Sequence, residues 1–320
     1  MKRKTGITNQ QIEDIILSKL NLKVSKIKQA RGGMINDVFF IKSGERELVL
    51  KVSPRKGPRF GGEYWALKQC SQNNVPVPKA LAQGTTRSKL PYPTRYLLTT
   101  RIPGKRVQNP SRLKLRSAKT SNYLRKAGYL LSKVHTIKTR GFGWLGTNGE
   151  GVYKSWKEFL LEPILNEKLL PYLSEEGFID KNLEKSISNF LNSEEKYLQL
   201  ESSFLLHGDF FLDHIFVDKG RVSGVIDFEN CISGDPLYDL ATFELYHEVG
   251  RYSSPLPYLL EGYKNGFTKE DLERKIVFYK LQKALPLIWW WEKQEKGLKK
   301  LLTSRRLAAL VKIYINQLEK

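Results

Sequence analysis

Cysteine is nearly absent from this chain, with only Cys70 and Cys231 among 320 residues. Two thiols cannot staple a small secreted scaffold or supply a four-ligand zinc site, so the expected setting is a reducing cytoplasm with both as small core residues. Acidic residues are scarce too: 33 Asp and Glu stand against 54 Lys and Arg, a net charge of +21. That surplus gives nonspecific attraction for polyanions and says nothing about fold. Long hydrophobic runs are missing, since the longest, Ala284 to Trp291, falls far short of the roughly 20 residues a spanning helix needs. The opening Met1-Lys2-Arg3-Lys4 continues polar and lacks the apolar stretch of a secretory signal. No membrane span and a cytoplasmic location are therefore expected. There is no fixed-period repeat, which argues against a solenoid, and no G-x-x-x-x-G-K-[ST], which removes one common phosphate cradle. What remains, 40 % apolar and 27 % charged, is the composition of a folded protein with length for one large domain or two modest ones.

The pattern along the chain changes once. Thr8 and Gln11 form a capping box ahead of Ile12, Ile15, Ile16 and Leu20, which predicts a first helix. Residues 22–30, 37–42 and 47–53 then read as successive hairpin strands, followed by a helix over 61–72 and a strand over 95–102. Past Pro103-Gly104 the chain reads as helical near 112–137, 154–170, 178–198, 236–248 and 270–318. One β interruption, Phe204 to Phe228, carries hairpin turn chemistry at Val217-Asp218-Lys219-Gly220-Arg221-Val222. Strands first and helices afterwards predict an α+β protein of two lobes, 1–103 and 104–320.

The sharpest local feature is Leu206-His207-Gly208-Asp209-Phe210-Phe211-Leu212-Asp213-His214, followed by Ile226-Asp227-Phe228-Glu229. Carboxylates at strand ends and turns can converge on one place. Phosphoryl transfer from ATP needs a carboxylate to orient the attacking hydroxyl and accept its proton, and ligands to hold Mg²⁺ on the phosphates. Asp209 suits the first role, and His214 with Asp227 the second. Together with Gly234-Asp235-Pro236-Leu237-Tyr238-Asp239-Leu240-Ala241, these segments resemble the aminoglycoside phosphotransferase and choline kinase family in the pattern H-G-D-x-x-x-x-N, I-D-F/W-E and G-D-P-x-x-D-L-A. The resemblance implies a bilobal protein-kinase-like fold, with a small antiparallel-sheet nucleotide-binding lobe and a larger, mainly helical catalytic and substrate-binding lobe. By it, Asp209 is the catalytic base, Asp227 the main metal ligand, and Asp239 a brace beneath the catalytic loop. The helix end Leu131-Ser132-Lys133-Val134-His135 also looks like the family's. His214 stands where the family pattern has Asn, as in macrolide kinases of this group. Hard oxygen ligands suit Mg²⁺ better than imidazole, which brings Mn²⁺ forward as an alternative ion. The bland alternative for His207 and His214 is a pair of satisfied core histidines.

Lys51 sits in an otherwise apolar strand and is costly to bury unless paired, with Glu63 at the start of the next helix as its natural partner. The pair resembles the kinase lysine and glutamate that grip ATP's α and β phosphates. Gly33 and Asn36 fall where the family has its phosphate-covering loop. Thr100 and Ile102 fall where its hinge backbone meets adenine.

Charge is unevenly spread. Residues 101–140 hold twelve Lys or Arg and no acid, whereas 204–250 hold nine acids against Lys219 and Arg221. Asp213, Glu229, Glu244 and Glu248 are therefore expected to face a cationic small-molecule substrate, unless they are solvated or cap helix starts. The basic run reads as a solvated helix face or as contact for an anionic substrate or nucleic acid; it has only Tyr123 and Tyr129 as interleaved aromatics. Trp156, Phe278, Tyr279 and Trp289-Trp290-Trp291 are expected mainly in the core. The function expected is an ATP-dependent phosphotransferase acting on a hydroxyl of a small molecule, such as an aminoglycoside, a macrolide or an amino-alcohol metabolite. The rivals are a nucleic-acid-binding or scaffold pseudokinase, and a protein kinase, which Asp227-Phe228-Glu229 in place of D-F-G disfavours.

Overall fold

The computed structural model describes residues 4–30, 35–55, 59–107, 117–166, 168–193, 197–264, 266–294 and 298–320. The capping box forms as the sequence predicts: the Thr8 hydroxyl accepts from Gln11 N, the Gln11 side chain accepts from Thr8 N, and the Asn9–Leu20 helix follows. Strands β1 (Lys26–Gln29), β2 (Asp37–Ser43), β3 (Arg46–Ser53), β4 (Ala80–Thr86) and β5 (Thr94–Thr100) make one antiparallel sheet in the order β1-β2-β3-β5-β4. Alternation assigns its two faces. Leu48, Leu50 and Val52 of β3 pack with Phe39, Ile41, Tyr96 and Leu98 beneath the first helix and close a small separate core. The intervening Lys51 and its cross-strand partner Leu97 point the other way, toward the Arg59–Gln72 helix and the second lobe.

The chain leaves this sheet through Gly104, where φ is +93° and a Cβ would lie 2.1 Å from Val217 O. It then pairs at once with the second lobe. Strand β6 (Lys105–Arg106) joins β10 (Ile215–Asp218), which forms the predicted hairpin with β11 (Arg221–Val225). A second sheet of this lobe, in the order β8-β7-β12-β9, contains β7 (Phe142–Leu145), β8 (Gly151–Tyr153), β9 (Phe204–Leu206) and β12 (Ile232–Gly234). Helices Ala118–Val134, Leu237–Gly250, Ile276–Gln294 and Leu298–Leu318 pack around a large core that includes Trp156, Phe210, Phe228, Phe243, Phe278 and Tyr279. The architecture is the expected α+β, kinase-like one.

Three readings need correction. Strands β4, β7, β8 and β12 lie outside the expected set: β12 pairs across long sequence separations with β7 and β9, whereas β4 pairs with the next strand β5 and β7 with β8, in segments with weak β-branched and aromatic alternation. The stretch 270–318 is two packed helices rather than one, preceded by a turn of π-helix at Asp271–Lys275. Trp289 is 40 % exposed, unlike Trp156, which is buried. The N-terminal part of the 112–137 expectation lies outside the described residues, and the helix over the rest starts at Ala118 with Ser117 as its cap.

Candidate active site

The loop that carries Asp209 runs from the end of β9 to the start of β10 and is fixed from below. Asp239, wholly buried on the Leu237–Gly250 helix, accepts from His207 N at 2.7 Å and Gly208 N at 2.8 Å. His135 Nε2 donates to the same carboxylate at 3.0 Å. Burial would raise the Asp239 carboxyl, but these donors, His135 foremost, hold it below its ordinary range. Gly208 is required where it stands: φ is +75°, and a Cβ would lie 1.8 Å from Asn230 O. His207 is buried, donates from Nε2 to Ile226 O at 2.9 Å and accepts from Asp209 N at 3.3 Å, which matches the satisfied core histidine weighed from the sequence. Burial, and then His214, keeps it neutral by lowering its proton affinity.

This loop presents Asp209. Its Oδ1 accepts from the Tyr246 hydroxyl at 2.6 Å, and its Oδ2 has no hydrogen-bond partner among the described residues. Tyr246 was not singled out from the sequence, yet a signal existed. It lies seven residues after Asp239, two helical turns on, and so on the same face. Lys283 was missed for a better reason. Its Nζ reaches Gly208 O at 3.1 Å across a sequence separation of 75, which no local pattern encodes.

The nucleotide-side residues converge. Lys51 Nζ lies 2.6 Å from Glu63 Oε1 and 2.7 Å from Asp227 Oδ1. Burial alone would depress the Lys51 ammonium, but the Asp227 and Glu63 carboxylates outweigh it and hold the group charged well above the usual lysine range. Burial pushes Glu63 up to about 7 against the pull of Lys51, and Glu63 Oε2 is buried without a partner. Asp227 adopts left-handed backbone, φ +73°, a costly conformation for a residue with a Cβ. Burial would raise its carboxyl, yet Lys51 and then His214 hold it well below the carboxylate range.

His214 Nδ1 lies 2.8 Å from Asp209 O. A carbonyl only accepts, so Nδ1 carries the proton, and in the neutral ring the lone pair is on Nε2, 3.6 Å from Asp227 Oδ2. These two acceptors are the groups that could share a cation, and among the described residues no third His, Cys, Asp or Glu joins them in a metal-holding group.

The remaining expectations divide. Asn36 donates to Glu229 Oε2 at 2.6 Å and so ties the sheet lobe to the second lobe, while its own Oδ1 is buried and unpartnered. Gly33 lies outside the described residues. The Thr100 amide is already given to Lys79 O, so Thr100 could meet a base only through its carbonyl, whereas the Ile102 amide has no partner among the described residues. The four acids expected on a cationic substrate do not form one surface. Glu229 is on the nucleotide side with Asn36, Asp213 faces Arg106 at 3.7 Å, Glu244 accepts from Ser254, and Glu248 pairs with Lys280 at 2.9 Å. The helical repeat explains the last two: Glu244 and Glu248 leave the helix on the face opposite Tyr246. Several bases of the 101–140 run are also paired with distant acids, Arg101 with Glu47, Arg125 with Glu261 and Arg140 with Glu150. No helix among the described residues is long and apolar enough to cross a membrane.

A braced acidic loop and a lysine shared by a helix glutamate and a second acidic turn, on an antiparallel sheet packed against a helical lobe, define the class: a kinase-like phosphotransferase. The chain belongs to the phosphotransferase enzyme family, whose model matches residues 26–273. It is 23 % identical over 241 residues to the hygromycin-B 4-O-kinase of Escherichia coli, covering 75 % of this chain and 67 % of that enzyme. It is 26 % identical to human acyl-CoA dehydrogenase family member 11, of which it spans only 28 %. Among solved structures it resembles a thermostable mutant of the aminoglycoside phosphotransferase APH(4)-Ia in a ternary complex with AMP-PNP and hygromycin B. There the TM-score is 0.70 at 18 % identity, covering 96 % of this chain and 98 % of the other.

Proposed function

We propose that this protein transfers the γ-phosphate of ATP to a hydroxyl of a small molecule, with an antibiotic of the aminoglycoside type as the first acceptor to test. The observation that carries the reading is Asp209: one carboxylate oxygen is held by Tyr246 and the other is left open, on a loop fixed by Asp239. The open oxygen orients the acceptor hydroxyl and takes its proton as the acceptor oxygen bonds to phosphorus. The bond from phosphorus to ADP breaks, and ADP leaves with those electrons. Lys51, charged and held by Glu63, grips the phosphates. The Ile102 amide and Thr100 carbonyl receive the adenine edge, with the lobes dividing near residue 103. A divalent cation, Mg²⁺ or Mn²⁺, supplies charge neutralisation on the phosphates when bound, and Asp227 with His214 Nε2 would hold it. The nucleotide-bound solved relative supports ATP as donor, and the hygromycin kinase supports the acceptor class.

The test is ATP consumption and phosphorylated product, followed by mass spectrometry, over a panel of aminoglycosides, macrolides and amino alcohols. Asp209→Asn should bind an ATP analogue normally, keep its melting temperature, and turn over roughly 10²–10⁴ times more slowly with whichever acceptor is used. Turnover within a few-fold of wild type would remove Asp209 from the chemistry.

A further inference from the structure

On the far side of the Leu237–Gly250 helix from Asp209, the three long C-terminal helices line an open cleft of ≈ 490 Å³ whose rim includes the exposed Arg251 and Tyr252. Arg251, Lys280, Arg306 and Glu248 contribute its charges, and Tyr252 and Tyr314 its rings. Tyr246, which touches Asp209, and Glu248, which lines the cleft, point roughly 200° apart around the axis at 100° per residue.

The charge of the cleft is unbalanced. Its carboxylate is fully engaged, because Glu248 pairs with Lys280 at 2.9 Å and also accepts from the Tyr314 hydroxyl. Arg251 and Arg306 remain without an ion-pair partner of their own among the described residues, although the field of Glu248 also reaches Arg306. The Nε of Arg306 is buried with no hydrogen-bond acceptor. Burial, and then the charge of Arg251, makes Arg306 hold its proton less tightly than an ordinary arginine, which places the two guanidiniums within reach of each other's field. The buried Nε donor without an acceptor is unfavourable in a folded protein, and the like charge of the solvated Arg251 beside it is only partly offset by the field of Glu248. An anion relieves both at once, and two guanidinium forks match the oxygens and double charge of a phosphate. The volume is within the range of small-molecule sites and exceeds what inorganic phosphate fills, and the tyrosine rings offer a surface for an organic body.

We propose that this cleft is a second, non-catalytic site for a small organic phosphate monoester, with the phosphate on Arg251 and Arg306 and the organic part against Tyr252 and Tyr314. The site is independent of the transfer reaction and of the identity of its acceptor.

Phenyl phosphate is the probe, titrated calorimetrically into the full chain already saturated with Mg²⁺ and a non-hydrolysable ATP analogue so that the nucleotide site is filled. One equivalent should bind, phenol should not, and affinity should fall at least ~10-fold in Arg306→Gln and in Arg251→Gln, the loss of one charge-assisted bidentate contact. Asp209→Asn should bind the probe as wild type does. Arg251 is exposed at the helix end, so its variant keeps the test valid if Arg306→Gln folds poorly. No binding in the saturated protein overturns the proposal, and so does binding that both arginine variants retain, since the probe would then be elsewhere on the basic surface.

Discussion

At the scale of single residues, the contact that most sharpens the site is the one from Tyr246 to Asp209. A hydrogen bond to a charged group contributes on the order of 1.5–3 kcal/mol, and in the proposed reaction it would fix which carboxylate oxygen faces the acceptor. Tyr246→Phe should therefore lower kcat by roughly 10–100-fold with little change in the Michaelis constant for ATP. Steady-state kinetics at saturating acceptor decide it, and an unchanged kcat would make the contact incidental. His247 offers a second residue-scale test, on stability. It is buried, gives its Nδ1 proton to Phe243 O at 2.7 Å, and has an unpartnered Nε2, so there is no place for a second proton. Burial lowers it to about 4 from its ordinary 6.5, only partly opposed by the Phe243 carbonyl. The unfolded chain thus takes up a proton at higher pH than the folded one. This contribution to stability is present above about 6.5 and lost as pH falls toward 4, about 3 kcal/mol at most. Urea unfolding of His247→Leu should show a shallower loss between about pH 7 and pH 4.5 than wild type; parallel losses would refute the assignment.

At the scale of elements, the site depends on one turn that no side chain can buffer. The turn at Gly208 brings two amides onto Asp239, and it does so in a conformation and a space that exclude a Cβ. Gly208→Ala is expected to cost about 2–4 kcal/mol and to take activity with it, because relief of the clash moves Asp209 away from Tyr246. A melting temperature and turnover equal to wild type would mean that the loop has slack. The first helix, by contrast, was readable because everything it needs is local: Thr8, Gln11 and an isoleucine face. Strand β12 was not readable. Its three residues, Ile232–Gly234, pair with β7 and β9, each more than twenty residues away along the chain, and their burial comes from those partners rather than from their own pattern.

At the scale of the whole molecule, the sheet lobe and the helical lobe share a core, in which Phe60, Leu67 and Leu97 pack with second-lobe residues, and are joined by two polar contacts at the site, Lys51 with Asp227 and Asn36 with Glu229. A nucleotide bound between them should therefore stabilise the entire chain by mass action, about 2.7 kcal/mol at one hundred times its dissociation constant. Thermal unfolding with and without Mg²⁺ and a non-hydrolysable ATP analogue measures this directly. Lys51→Ala should melt lower, because it leaves Glu63 buried without its partner, and should lose most of the nucleotide-dependent rise. A rise equal to that of wild type would show that Lys51 is not on the phosphates.

The sequence by itself determined the residue types at the candidate site and their order: Asp209, His214, Asp227 and Asp239 fall in short segments whose spacing resembles that of the family. It also determined the alternation that turns Lys51 toward the cleft. Tertiary structure decided everything that depends on long-range approach. It placed Tyr246 on Asp209 and Lys283 on Gly208, set Glu229 against Asn36, and dispersed four acids that looked like one surface in linear order. The physical reason is range. A cap, a turn or a strand face is written within a few residues, whereas charge complementarity and the emptiness of a cavity belong to side chains that only the folded chain brings together.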